Sequence, residues 1–112
     1  MINQRDLVLI SFPFSDLKTT KVRPVVVISN DEYNKKFEDM IVVPMTTNLQ
    51  VREYAFLITN KELDSGNLIR DSKIKVDRIF SINQKLVKMK IGKIKKEIHQ
   101  KIKTTISQLI NS

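Results

Sequence analysis

The sequence predicts a mainly β protein with a single substantial helix, a small, strongly bent β-barrel packed by a C-terminal amphipathic helix. Three observations predict it. Short runs of β-branched and aliphatic residues recur as far as Ile91, separated by Pro, Gly, Asn, Asp and Ser. Beyond Gly92 the apolar period changes, and Ile98, Ile102, Ile106, Leu109 and Ile110 fall on one helical stripe. The chain has 112 residues and shows neither repeat nor linker. It is long enough for one hydrophobic core and too short for two, so one domain over residues 1–112 is expected.

Taken in order, Leu7-Val8-Leu9-Ile10-Ser11-Phe12 reads as a first strand stopped by Pro13, and residues 13–22 read as a loop. Pro24 to Ser29 is a second strand, with the proline at its first position, where the missing N–H need not join the ladder. Asp31 to Phe37 can hold a helical turn capped by Asp31. Met40-Ile41-Val42-Val43 is a third strand running into Pro44-Met45-Thr46-Thr47-Asn48, and Glu53 to Ile58 a fourth. Asp64-Ser65-Gly66-Asn67 is composed like a turn. Lys73-Ile74-Lys75-Val76-Asp77 alternates cleanly, so Lys73, Lys75 and Asp77 share one face of a fifth strand. The slip at Arg78-Ile79 reads as a bulge, Leu86 to Ile91 as a sixth strand, and residues 95–110 as the closing helix.

Composition narrows the partners. Twenty Lys and Arg against twelve Asp and Glu leave a formal charge of +8, which predicts a polyanionic partner. Lysines crowd the last third of the chain, which marks a solvated face as readily as a binding one. Cysteine is absent, excluding disulfides and thiolate metal sites. The first residues, Met1 to Asp6, lack the apolar segment of a secretory signal, and no apolar run reaches membrane-spanning length. A cytoplasmic protein without membrane association is expected.

The available side chains exclude most chemistries. His99 is the only histidine and falls on the polar side of the closing helix by spacing, which argues against a Ser–His or Cys–His dyad. No metal-ligand spacing and no Gly-rich phosphate loop is present, so neither metal nor cofactor is expected. Arginine, threonine and a carboxylate remain. That set suits cleavage of RNA by its own 2′-hydroxyl, because the substrate then supplies the nucleophile. The protein need only move protons and stabilise charge on phosphorus, tasks suited to an arginine fork and a hydroxyl donor.

Asp6-Leu7-Val8-Leu9, Phe12-Pro13-Phe14-Ser15-Asp16 and Arg23-Pro24-Val25-Val26-Val27-Ile28-Ser29-Asn30 together resemble the MazF/PemK family of type II toxins. The similarity continues through Val43-Pro44-Met45-Thr46-Thr47, Lys75-Val76-Asp77-Arg78-Ile79-Phe80 and Ile91-Gly92-Lys93-Ile94 to the helix. The Arg-Pro strand entrance paired with the Pro-x-Thr-Thr strand exit is its most specific element. The resemblance implies a compact SH3-like barrel, a homodimer and metal-independent cleavage of single-stranded mRNA at short sequences. It also implies a cognate antitoxin whose acidic C-terminal segment occupies the RNA groove.

By the same resemblance Arg23 and Thr46 match the catalytic arginine and threonine. Asp77 matches a general base, and Lys75 stands where an arginine acts as acid. Ser15, Thr19, Thr20, Lys21, Thr47, Asn48 and Arg78 are the accompanying RNA-binding candidates. An arginine is a poor proton acceptor at neutral pH, so charge stabilisation and proton donation fall to Arg23. Some positions depart from the family. Arg5 replaces a glycine, so the turn there is expected to differ; Arg78 and Phe80 replace a glutamine and a basic residue; and a lysine stands where the helix would be capped. Two alternatives share the fold. A gyrase-binding toxin like CcdB acts through a terminal Trp-Gly-Ile, and this chain has no Trp. A non-catalytic RNA-binding barrel fits the charge equally well.

Overall fold

A computed structural model describes the backbone of residues 1–13 and 20–112, and the side chains outside positions 12–20. At its centre β1 (Asp6–Pro13) and β2 (Thr20–Val27) pair antiparallel from Leu7↔Val26 to Pro13↔Thr20. β2 pairs on its other edge with β3 (Asp39–Thr46), and β1 with β8 (Val87–Ile94), which in turn carries β5 (Leu63–Gly66). The far edge of β3 is divided. β7 (Phe80–Asn83) takes residues 39–42, β6 (Ser72–Lys75) takes Met45 and Thr46, and β4 (Ala55–Ile58) closes on β6. The eight-stranded sheet curls into a half-barrel, and α2 (Lys96–Ile110) packs on it through Ile98, Ile102 and Ile106. This is the mainly β, helix-packed architecture that the strand runs predict. Among the described residues no helix is long and apolar enough to cross a membrane.

Strand alternation divides the apolar residues into two cores. Leu7, Val26, Val43 and Met45 face α2 and Ile74, whereas Val8, Ile10, Val25, Val27, Met40 and Val42 form a second cluster on the opposite face. Consecutive buried residues such as Val25-Val26-Val27 therefore belong to different cores, which is why the run shows no polar alternation.

Several boundaries differ from expectation for physical reasons. β2 begins at Thr20, so Pro24 lies inside the strand. Its missing donor is tolerated because the ladder to β3 ends at Val25↔Pro44. Pro44 likewise sits where β3 passes from β7 to β6. The cap of α1 (Asp31–Lys36) is Asn30, whose side chain accepts from the Tyr33 N–H at 2.8 Å, while Asp31 accepts instead from the Gln4 N–H. The segment 53–54 is outside β4, and Tyr54 has φ of 59°. β6 stops at Lys75, and the expected bulge is the turn into β7, closed by Arg78 N–H to the Lys75 carbonyl at 3.2 Å. Arg5 takes the left-handed φ of 76° that suits glycine. Its Nη1 donates to Asp64 Oδ2 and to the Ile94 carbonyl, both at 2.9 Å, which holds that strained residue in place. At the other end Ile110 is exposed, off the buried stripe of α2. His99 is half-buried rather than on a solvated face, and its Nδ1 is sealed from solvent with no hydrogen-bond partner among the described residues. Burial, then the charges of Lys103 and Arg5, lower its pKa below 6.5.

The stretch 64–67 is the largest correction, since Leu63–Gly66 is a strand rather than a turn. Gly66 faces Gly92 of β8. A Cβ at Gly66, where φ is +80°, would lie 2.0 Å from the Ile91 carbonyl oxygen, and one at Gly92 would lie 2.6 Å from that of Ser65. Both are backbone atoms that cannot step aside. The two glycines of the chain are thus a pair that lets two strands touch. Gly66→Ala is expected to lose about 3 kcal/mol of unfolding free energy and Gly92→Ala about 2 kcal/mol. Urea denaturation of each variant checks this, and wild-type midpoints would contradict the close approach.

Candidate nucleic-acid interface

The site lies where β2 and β3 outrun their shared ladder. Their last pair is Val25↔Pro44, and the register carried on by two residues brings Arg23 and Thr46 to one level. By alternation Arg23 lies on the face of Val25 and Val27, and Thr46 on that of Val42. Past the end of the second core, this face turns from apolar to basic. Thr46 is paired on its other side with Lys73 of β6, and Lys75 follows on the same face. Burial continues to alternate through the turn, so Asp77 stays in line with Lys73 and Lys75 as their spacing predicts.

Side-chain geometry gives each group a task it can perform. Thr46 Oγ1 accepts the Asn48 N–H at 3.1 Å, leaving the hydroxyl proton available to donate outward. Asn48 Oδ1 accepts the Gln50 N–H at 3.1 Å, and Lys73 Nζ donates to the Gln50 carbonyl at 2.9 Å. These bonds fold residues 46–52 back over β6. They border an open cavity of about 280 Å³ lined by Thr46, Asn48, Gln50, Val51, Arg52 and Lys75. Arg52 Nη2 donates to Asp77 Oδ2 at 2.6 Å. Arg23 is exposed and, among the described residues, has no hydrogen-bond or ion-pair partner.

Lys75 reports the electrostatics. Burial lowers its pKa first, and the charges of Arg78, Arg52 and Arg23 lower it further, opposed only by Asp77. Three guanidinium groups acting on one ammonium, with Asp77 the one opposing carboxylate among the described residues, make a site that favours an anion. Among the described residues, no group of three His, Asp or Glu gathers to hold a metal ion.

Thr46, Asn48 and Lys75 therefore line one cavity, Asp77 joins it through Arg52, Arg23 comes level with Thr46 by register, and the Arg78 charge reaches Lys75. Lys21 is exposed two residues before Arg23, on the same face by alternation. Thr47 departs from the group, lining a separate apolar groove of about 430 Å³ with Leu9, Val22, Pro24 and Ile69. Ser15 and Thr19 lie outside the described residues, as does the side chain of Thr20. Arg52 escapes a sequence reading because it sits in an irregular segment with no period to assign it a face.

A family model described as PemK-like, MazF-like toxin of type II toxin-antitoxin system matches residues 3–110. No curated protein sequence is significantly similar to the chain. Among solved structures, a MazE–MazF complex from Deinococcus radiodurans is 15% identical, covering 97% of this chain and 95% of that one with a TM-score of 0.81. An endoribonuclease in complex with its cognate antitoxin, from a mycobacterial species, is 15% identical over 96% and 93%, with a TM-score of 0.77. The Mycobacterium tuberculosis toxin MazF-mt6 is 16% identical over 93% and 94%, with a TM-score of 0.74. At these identities the likeness is one of fold.

The charges around Lys75 generate a titration prediction. Removing a neighbouring cation relieves repulsion of the ammonium, so Arg78→Ala is expected to raise the Lys75 pKa towards 10.5. An NMR titration of the lysine side chain measures this directly. An unchanged or lower value in that variant would contradict the cluster.

Proposed function

Because the chain belongs to the PemK-like, MazF-like toxins of type II toxin–antitoxin systems, we propose that it is an endoribonuclease. Its substrate is single-stranded mRNA, cut at a short sequence by attack of the RNA's own 2′-hydroxyl. One observation carries this reading: the shared level of Arg23 and Thr46 on a basic strand face beside a cavity that Lys75 lines.

In this proposal the Arg23 guanidinium and the Thr46 hydroxyl bind the non-bridging oxygens of the scissile phosphate. Both strengthen their hydrogen bonds as charge grows on the phosphorane. The 2′-oxygen attacks phosphorus and its proton passes to solvent. The 5′-oxygen leaves with the bonding pair and takes a proton from Lys75 rather than from Arg23, since this ammonium gives up its proton more readily than an ordinary lysine. The products are a 2′,3′-cyclic phosphate and a 5′-hydroxyl, with no metal in the reaction. Asp77, the carboxylate of this face, serves the site through its ion pair with Arg52.

Lys21, Asn48 and Arg78 bind flanking RNA, with Ser15, Thr19 and Thr20 completing the proposed contact set and Thr47 joining it only where RNA extends into the neighbouring groove. Phosphate contacts by several cations make the affinity fall with salt. The same cationic surface suits the acidic C-terminal segment of a cognate antitoxin, and the active form is a homodimer. Action on mRNA assigns the protein to the cytoplasm.

Purified protein incubated in EDTA with a long mixed-sequence RNA is expected to give discrete cuts with cyclic-phosphate and 5′-hydroxyl ends. Arg23→Ala and Thr46→Ala each lower the rate roughly 100- to 1000-fold, as removal of one oxyanion donor does. Intact RNA from folded, antitoxin-free protein would overturn the proposal in favour of a binding barrel.

A further inference from the structure

Asp77 is poorly placed to act on a substrate. Its Oδ2 is taken by Arg52 Nη2 at 2.6 Å, a short, charge-assisted bond. Its Oδ1 is sealed from solvent and has no partner among the described residues. A 2′-hydroxyl approaching from outside therefore meets no carboxylate oxygen that is both free and accessible. Arg52 differs in both respects. Its side chain is 39% exposed against 24% for Asp77, and it lines the cavity together with Thr46 and Lys75.

The backbone beneath Arg52 is fastened on both sides. Before it, the Gln50 carbonyl is tied to Lys73 and the Gln50 N–H to Asn48. After it, the Tyr54 carbonyl accepts the Val76 N–H at 2.9 Å. A guanidinium on a fixed backbone, held from one side through Nη2, keeps its other N–H donors for an anion in the cavity. The carboxylate also offsets one of the positive charges gathered around Lys75.

Resting on the ribonuclease reading, we infer that Arg52 is a further phosphate-contacting residue of this site and that Asp77 is its positioning residue, working through the guanidinium rather than on the RNA. The pair then behaves as one unit, and removing either partner removes the same contact. Asp77→Asn is the informative mild variant, because an amide oxygen still accepts from Arg52.

The test is a double-mutant cycle on kcat/KM for a cleavable RNA oligomer. Kd is measured in parallel for the same oligomer carrying a 2′-deoxy sugar at the cut site. Arg52→Ala and Asp77→Ala are each expected to lose roughly 10- to 100-fold, the worth of one hydrogen bond to a charged group. The double variant is expected to be no worse than Arg52→Ala alone. Asp77→Asn should keep most activity and the acid limb of the wild-type pH–rate profile. Losses that multiply in the double variant, or an Asp77→Asn variant as impaired as Asp77→Ala with an altered acid limb, would mean that Asp77 acts on the substrate itself. Wild-type behaviour of Arg52→Ala would overturn the inference as well. Thermal melts identify any variant that fails to fold, and Asp77→Asn then stands in for Asp77→Ala in the cycle. If wild-type protein leaves RNA intact, the ribonuclease reading fails alone, and the affinity cycle on the uncleavable oligomer still decides the part played by Arg52.

Discussion

Antiparallel pairing of β2 with β3 stops at Val25↔Pro44, and the site exists because it stops there. Up to that pair the two strands share a ladder and bury valines on both faces. Beyond it their backbones are no longer bonded to each other, yet the register still brings Arg23 and Thr46 level. A proline stands on each strand at the point of separation, Pro24 on one and Pro44 on the other. Neither supplies a donor where the ladder ends, so parting leaves fewer unsatisfied groups than it would with any other residue. The second core beneath, built on Val25, Val27, Met40 and Val42, keeps both strand ends from drifting.

On that scaffold the site is electrostatically incomplete. Lys75 is held among Arg78, Arg52 and Arg23, and burial adds to the repulsion by removing water. Among the described residues one carboxylate, Asp77, opposes the three guanidinium groups that act on Lys75, and it is bound to one of them. A structure stabilised only for its own sake would place carboxylates here. Elsewhere the chain does so: buried Asp6 is met by Lys90 at 3.1 Å, and Arg5 by Asp64 at 2.9 Å. Those closed pairs contrast with a face on which the Arg52–Asp77 pair leaves further positive charge unanswered among the described residues, an arrangement suited to an external anion.

Much of this was legible in the residues, and what was not has identifiable causes. The run Val25–Ile28 follows from its β-branched composition, the alternation from Lys73 to Asp77 and the stripe Ile98–Ile102–Ile106 from period, and the structure keeps the last two on their expected faces. Asp64-Ser65-Gly66 reads as a turn because its composition is that of turns. It is a strand because Gly66 can touch Gly92, a contact distant in the chain that local propensity cannot reveal. Phe80–Asn83 was too short to announce itself and exists by pairing with β3. Arg5 was expected to change its turn, but tertiary bonds to Asp64 and Ile94 hold it in a glycine conformation. Arg23, Thr46 and Lys75 could be named in advance, whereas Arg52 could not. Its partner lies across a loop whose path is set by side-chain bonds from Asn48 and Lys73.

The most direct measurement is a crystal structure of the protein with an RNA oligomer made uncleavable by a 2′-deoxy sugar at the cut site. The scissile phosphate is predicted within hydrogen-bond distance of both the Arg23 guanidinium and the Thr46 hydroxyl, with Lys75 beside the 5′-oxygen. A phosphate bound elsewhere on the basic surface, with Arg23 and Thr46 both untouched, would contradict the assignment of this strand face as the site of chemistry.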